Sequence, residues 1–255
     1  AGADQVFMGI ENINPDNLKA AKKRQNRITE YRNLMMQWKA TGALLIGGYI
    51  LGFPNDSRES IRHDIEIIKR ELPLDLIYFT VLTPLPGCED HKQMVAKGEW
   101  MDPDLNKYDL NHRVTHHNGM SDREWDEAYR LAWETFYTYE HMITILRRGA
   151  AMKVRRKALC SRLTHFREFH RRLGVHPLEG GIIRLKYRKD RRPGLPREGI
   201  LGFYARYVWE FVNCTWGAIS TYGILRWKSR QIWRDPGRRQ YVDTAIMPIE
   251  GERLA

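Results

Sequence analysis

Three short apolar runs separated by two helical stretches constrain this chain more than any other feature. Residues 5–10, 43–51 and 76–82 are nearly continuous apolar segments, the pattern of strands buried on both faces. Asn14-Pro15-Asp16 opens the first intervening helix, with Asn14 able to cap and Pro15 tolerated in the first turn. That helix is expected to run to about Lys39, with Gly42 as its stop. Asp56 or Ser57 can cap the second, in which Ile61, Ile65, Ile68 and Leu72 recur at helical spacing until Pro73. The order β-α-β-α-β with right-handed crossovers predicts three parallel neighbouring strands whose carboxyl ends lie on one edge. Glu11, the Gly52 to Asp56 turn and the Thr83 to Gly87 turn then face a common crevice, where α/β sheets and barrels bind ligands. Three strands are fewer than a barrel or an ordinary sheet needs, so the expectation is that strands from before residue 1 or from another chain complete it.

The second strand and its exit, Gly47-Gly48-Tyr49-Ile50-Leu51-Gly52-Phe53-Pro54-Asn55-Asp56, are the centre of this arrangement. Glycines at both ends let either a ligand or a neighbouring element approach the backbone closely.

Beyond Trp100 the character changes. Residues 102–119 are polar and rich in His and Asn, and are expected to be irregular with at most a short strand. Ser121-Asp122-Arg123-Glu124 is a capping box, and Trp125, Ala128, Ala132, Phe136, Tyr139 and Ile143 mark one face of a single long helix. A basic helix over about 152–173, a short strand or hairpin within 180–189, and a last helix over about 197–233, interrupted near Gly217 or Gly223, complete the expectation. Charge divides the same way: residues 1–150 carry 19 Lys and Arg against 22 Asp and Glu, whereas residues 151–255 carry 23 against 9. A partner of opposite charge therefore belongs to the second part. Two are compatible with it. Phosphates of nucleic acid would suit the arginines and lysines of 153–197. An anionic membrane surface, the favoured of the two, would suit Trp209, Trp216, Trp227 and Trp233 with Arg206, Arg226, Lys228 and Arg230 beside them. Packing of this region on the rest of the protein is the third possibility. Arg206, Glu210 and Asn213 interrupt the ~20 apolar residues that a spanning helix requires.

Cys88, Cys160 and Cys214 are too far apart for a local metal motif, and their odd number argues against a disulfide scaffold. A cytoplasmic protein, with membrane contact at the inner face, is the corresponding expectation. His112, His116 and His117 are close in sequence but lack a carboxylate or thiolate at ligand spacing, so no metal site is assigned to them.

Four segments in order, Val6-Phe7-Met8-Gly9-Ile10-Glu11, Leu18-Lys19-Ala20-Ala21-Lys22-Lys23, Gly48-Tyr49-Ile50-Leu51-Gly52-Phe53-Pro54 and Thr83-Pro84-Leu85-Pro86-Gly87, resemble the fourth to sixth strand region of radical S-adenosylmethionine (SAM) enzymes. Residues 109–140, His176-Pro177-Leu178 and Pro193-Gly194-Leu195-Pro196-Arg197-Glu198 are similar to the tail of the subgroup with an N-terminal cobalamin-binding domain. The resemblance implies an α/β fold: residues 1–99 as the second half of a partial (β/α) barrel, and 100–255 as a mainly helical basic region. It implies SAM contacts from Glu11 at the ribose or methionine part and from Lys23 at the carboxylate. Gly48, Ile50, Gly52, Phe53 and Pro54 would border adenine and ribose, and Leu82, Thr83 and Pro84 would lie near adenine. The Cys-x3-Cys-x2-Cys triad of that family is absent from this sequence. The resemblance therefore places the [4Fe-4S] ligands, the first barrel half and the cobalamin domain outside this chain, with a small-molecule or lipid-like substrate and methyl transfer or ring rearrangement as the outcome. The rival reading is a non-catalytic binding module with a basic tail.

Overall fold

The computed structural model describes residues 2–14, 17, 28–190, 194 and 196–247. Strands β1 (Gln5–Glu11), β2 (Leu44–Leu51) and β3 (Leu76–Val81) form a parallel sheet in the order β1-β2-β3. Helix α1 (Ile28–Ala40) connects the first pair and α2 (Arg58–Glu71) the second. The start of α2 is fixed by a capping box in which Ser57 and Ser60 satisfy each other's backbone N–H groups. Its last carbonyls are held from outside the helix: Arg148, buried, donates to Lys69 O at 2.9 Å and to Leu72 O at 3.3 Å, and its Nε donates to Asp243 at 2.8 Å.

Strand alternation assigns two faces to the sheet. Met8, Ile10, Tyr49, Leu51, Ile77 and Phe79 lie on the buried face, against Ile61, Ile65 and Ile68 of α2 and the aromatic residues of α4 (Asp122–Phe136). Phe7, Gly9, Gly48, Ile50, Tyr78 and Thr80 share the other face, which is open along β1, where Phe7 is 61% exposed. At the β3 end that face is covered by Phe166 of α6 (Arg156–Leu173), whose ring lies 4.7 Å from Tyr78.

The outer edge of β3 carries no further strand among the described residues. Its backbone groups are satisfied by side chains and a loop instead. Tyr137 Oη accepts from Ile77 N at 2.9 Å and donates to Ile77 O at 2.8 Å, Tyr129 Oη lies 3.2 Å from Phe79 O, and Val81 N donates to Leu110 O at 2.7 Å. A strand edge closed this way cannot recruit another chain.

The helical region follows: α3 (Glu89–Lys97), α4, α5 (Tyr139–Ala151), α6 and the 35-residue α7 (Ile200–Arg234). The single helix expected from Trp125 to Ile143 is two, because Thr138 caps a new start by accepting from His141 N at 3.2 Å. Residues 180–189 form no strand, and α7 runs unbroken past Gly217 and Gly223. At Gly217 a Cβ would fall within 2.6 Å of the Arg172 and Glu168 side chains, so this glycine admits α6 rather than breaking α7. Glu168 is fully buried there and accepts from Arg172 Nε at 2.7 Å and Thr221 Oγ1 at 2.7 Å. Burial alone would raise its pKa, but those bonds and the Arg167 charge outweigh it and hold the carboxyl below its ordinary value. One apolar core runs from Met8 through Phe79, Trp125 and Ile145 to Leu163 and Leu225.

Candidate functional site

The carboxyl ends of the three strands meet as expected from the topology, and a bulge re-aims the first of them. β1 loses register between Gly9 and Glu11, where Glu11 takes φ +63° and pairs with Tyr49. Tyr49 points into the core, yet the Glu11 carboxylate lies over Gly9 on the open face, its Oε1 3.7 Å from where a Gly9 Cβ would stand. A positive φ at a non-glycine residue and a bulge both cost stability, and both concentrate where a side chain must be aimed. Tyr31 Oη, which donates to Ile10 O at 3.1 Å, registers this charge: burial first, then Glu11 and Glu30, push its pKa up to about 12.

Beneath Glu11 runs a buried polar chain that links the turns after β1 and β2. Asn12 Oδ1 accepts from Asn14 N at 2.7 Å and from Asn17 Nδ2 at 3.5 Å, and Asn17 Nδ2 donates to Asp56 Oδ1 at 2.6 Å. Asp56 Oδ2 accepts from the backbone N–H groups of Gly52 at 2.8 Å and Phe53 at 3.0 Å, closing the turn after β2. Burial raises the Asp56 pKa, and the three donors and the nearby His117 only partly offset it. His117 Nε2 donates to Phe53 O at 2.8 Å while its Nδ1 accepts from Gly119 N at 3.0 Å, which fixes one tautomer and pins the 117–119 segment on the turn. Leu82 N donates to Leu51 O at 2.8 Å, and Thr83 Oγ1 donates to Val81 O at 2.9 Å. Glu11, Gly48 and Ile50 thus share one partly exposed face, with Leu82 and Thr83 half-buried at its end. Phe53 and Pro84 are buried, and Pro54 is exposed at the turn. Lys23 lies outside the described residues.

The glycines divide between the two uses open to them in sequence. At Gly47 a Cβ would stand 2.8 Å from Ile10 Cδ1, and at Gly52, with φ +99°, 2.4 Å from Trp125 Cζ2. These two serve internal packing. At Gly48 a Cβ would stand 2.7 Å from Cζ of Phe7, the end of an exposed ring on the open face.

Asn12, Asn17 and Asp56 were not singled out as a network from sequence, and the signal for them is slight: short polar residues directly after two apolar runs. The histidines separate. His112 Nδ1 lies 2.8 Å from Asp109, and His116 lies 2.8 Å from Asp122 and stacks on Trp100. Cys88 caps α3, while Cys160 and Cys214 are buried and free, and burial raises both their thiols. Among the described residues no three His, Cys, Asp or Glu side chains are grouped to hold a metal ion.

A cavity of 750 Å³ lies on the far side of β3, walled by Tyr129, Trp133, Tyr137, Arg167, His170 and Arg171, and none of the strand-end candidates lines it. Burial holds His170 down to about 4, so this imidazole, stacked 4.0 Å from Trp133, is neutral at pH 7.

No family model matches the chain. It is similar to bacteriochlorophyllide d C-12(1)-methyltransferase of Chlorobaculum tepidum, 30% identical over 115 residues that make up 44% of this chain and 24% of that protein. It is also similar to an uncharacterized methyltransferase of Pyrococcus horikoshii, 27% identical over 138 residues, 53% of this chain and 29% of that protein. The chain thus spans about a quarter of the length of these curated relatives. The comparison corrects the sequence reading. Likeness to methyltransferases, without a matching family model, replaces the radical SAM assignment, and with it the [4Fe-4S] cluster and cobalamin, for which the described side chains offer no metal-binding group. The same likeness replaces the reading as a non-catalytic binding module and points to an enzyme.

Proposed function

We propose that the chain is part of a methyltransferase and supplies one wall of its SAM site, at the carboxyl ends of β1, β2 and β3. The observation that carries this reading, beside the two methyltransferase relatives, is the bulge that turns Glu11 onto the open sheet face. The donor and wall chemistry there fits SAM. A carboxylate can accept from ribose hydroxyls or from the ammonium of the methionine part. Ile50 and Leu82 offer apolar walls, and the exposed Phe7 ring offers aromatic surface to an adenine. The Phe7 ring rests on Gly48 and is mostly exposed, so it can swing aside and free that backbone.

SAM supplies an electrophilic methyl group on a sulfonium, and the reaction needs it held in line with an acceptor and shielded from water. In this reading Glu11 fixes the donor's orientation, Gly48 borders it through backbone, and Phe53, Pro54, Thr83 and Pro84 close the adenine side. Lys23 is the proposed partner of the methionine carboxylate. The buried Asn12–Asn17–Asp56 chain keeps the turns rigid, so that Glu11 and the β2 exit keep their spacing. By analogy with the first relative's named substrate, the methyl acceptor is a small molecule.

Calorimetric titration of the chain with SAM tests the proposal. Saturable binding is expected, and Glu11→Gln should weaken it about tenfold or more, the value of a charge-assisted hydrogen bond. Unchanged affinity in Glu11→Gln removes that residue from the site, and no SAM binding by the chain overturns the reading.

A further inference from the structure

Helix α7 buries Phe203, Cys214, Gly217, Thr221, Leu225 and Ser229 against the rest of the protein. Its opposite side is an uninterrupted apolar stripe. Leu201, Val208, Trp209, Val212, Trp216 and Ile219 are all exposed, with Trp209 at 65% and Trp216 at 69%. Ala205 and Gly223 fill the intervening positions, also exposed, so no charged side chain breaks the stripe over some six turns. At its C-terminal end the same side carries Trp227 with Arg230 and Arg234, all exposed. An apolar face of this length on a soluble surface marks an interaction site.

A second element presents the same chemistry beside it. In residues 183–188 the side chains alternate: Ile183, Leu185 and Tyr187 are exposed, Leu185 at 81%, while Arg184, Lys186 and Arg188 are half-buried toward the helix. Lys186 bonds Glu210 of α7, and Arg188 donates to Glu198 O at 3.0 Å, so the basic side anchors the loop and the apolar side is turned outward. Glu210, the one acidic residue of α7, is thereby engaged.

We propose that α7 and the 182–188 loop rest on an anionic lipid bilayer, the apolar stripe entering the headgroup boundary and the surrounding cations facing lipid phosphates. Three exposed tryptophans, with Tyr187 and Tyr204, supply the amphipathic rings that settle at such an interface. The charge of residues 151–255, 23 basic against 9 acidic side chains, complements anionic headgroups. A second copy of the chain would bring two surfaces of the same sign together. Nucleic acid would need cations along the middle of the stripe, where there are none. The helix lies on the bilayer and does not cross it, since no helix of the described residues is long and apolar enough to span. This surface is independent of the SAM site.

Co-sedimentation of the chain with phosphatidylcholine vesicles, with and without phosphatidylglycerol, is the test. Binding is expected to the phosphatidylglycerol vesicles, to fall with salt, and to fall about tenfold in Trp209→Ser/Trp216→Ser and again in Arg230→Glu/Arg234→Glu. All four residues are exposed, and circular dichroism checks that each variant is folded. Equal binding of the tryptophan variant to the same vesicles overturns the proposal. So does absence of vesicle binding, whether the stripe then mediates self-association in sedimentation velocity or the chain is retained on duplex DNA instead.

Discussion

Tyr137→Phe removes a single oxygen, and the edge of β3 sets what that should cost. The hydroxyl is acceptor to Ile77 N at 2.9 Å and donor to Ile77 O at 2.8 Å. Ile77 is fully buried and Tyr137 is 3% exposed, so water cannot replace the oxygen without opening the core. The phenyl ring keeps its contacts, with Trp133 stacked at 5.7 Å and Phe136 edge-on at 5.0 Å, so almost no apolar burial is lost. What remains is one stranded N–H and one stranded C=O at roughly 1–3 kcal/mol each. Allowing for local relaxation, the variant should lose about 2–4 kcal/mol out of a typical total of about 5–15. Urea unfolding followed by tryptophan emission would show a lower midpoint with an unchanged slope. Tyr129→Phe is the comparator. Its hydroxyl has one proton for two acceptors, Phe79 O at 3.2 Å and Asn111 Oδ1 at 2.9 Å, so its loss should be smaller, about 1 kcal/mol. A loss below about 0.5 kcal/mol for Tyr137→Phe, or a larger loss for Tyr129→Phe, would refute the account of how this edge is satisfied.

Two further outcomes follow from buried groups. Burial, with the Asp56 charge adding to it, raises the Asp64 pKa from 3.8 to about 6, although Tyr49 Oη donates to its Oδ2 at 3.0 Å. The folded state therefore binds this proton more tightly than the unfolded chain does, and stability falls as pH rises from about 4 to about 6. Asp64→Asn should flatten that slope and stabilise the protein at pH 7 by about 1–3 kcal/mol, read from urea midpoints at pH 4 and pH 7. An unchanged slope would mean that Asp64 is ionised throughout. Gly52→Ala combines a left-handed φ of +99° with a Cβ 2.4 Å from Trp125, and should cost about 2–5 kcal/mol. Gly98→Ala, at φ +67° with nothing within 4 Å, should cost about 1 kcal/mol, and thermal melts of the pair isolate the Trp125 contact.

The strands and the first crossovers were legible because buried parallel strands and capped helices leave local marks: β1, β2 and β3 fall within a residue or so of the apolar runs, and Ser57 and Ser121 cap as their positions foretell. What local pattern could not carry was decided by distant partners. Apolar spacing continues smoothly from Trp125 to Ile143, but Tyr137 must reach the β3 backbone, and Thr138 restarts the helix. Helix α3 escaped notice because none of its residues is buried, so it has no apolar period to read. The alternation of residues 183–188 reads as a strand in sequence, yet it arises from a loop with one side tied to α7 by the Lys186–Glu210 ion pair. At the strand ends Glu11 could be named from its place after an apolar run, whereas its aim depends on the bulge. The pairing of Asn17 with Asp56, 39 residues apart, is invisible to any local period.

The shared core has a consequence for the order in which the molecule can mature. Residues 2–81 hold all three strands, yet Phe79 and Ile77 are covered from the helical region by Trp133, Phe136 and Tyr137, and the Tyr78 side by Phe166 and, just past α6, His176. During synthesis at roughly 5–20 residues per second, the sheet waits several seconds for α4 to α6 to emerge. Through that interval it presents an apolar face and an unsatisfied strand edge to everything around it. Nascent chains of this protein are therefore expected to depend on chaperone cover until about residue 173, where α6 ends, and to become protease-resistant only after it.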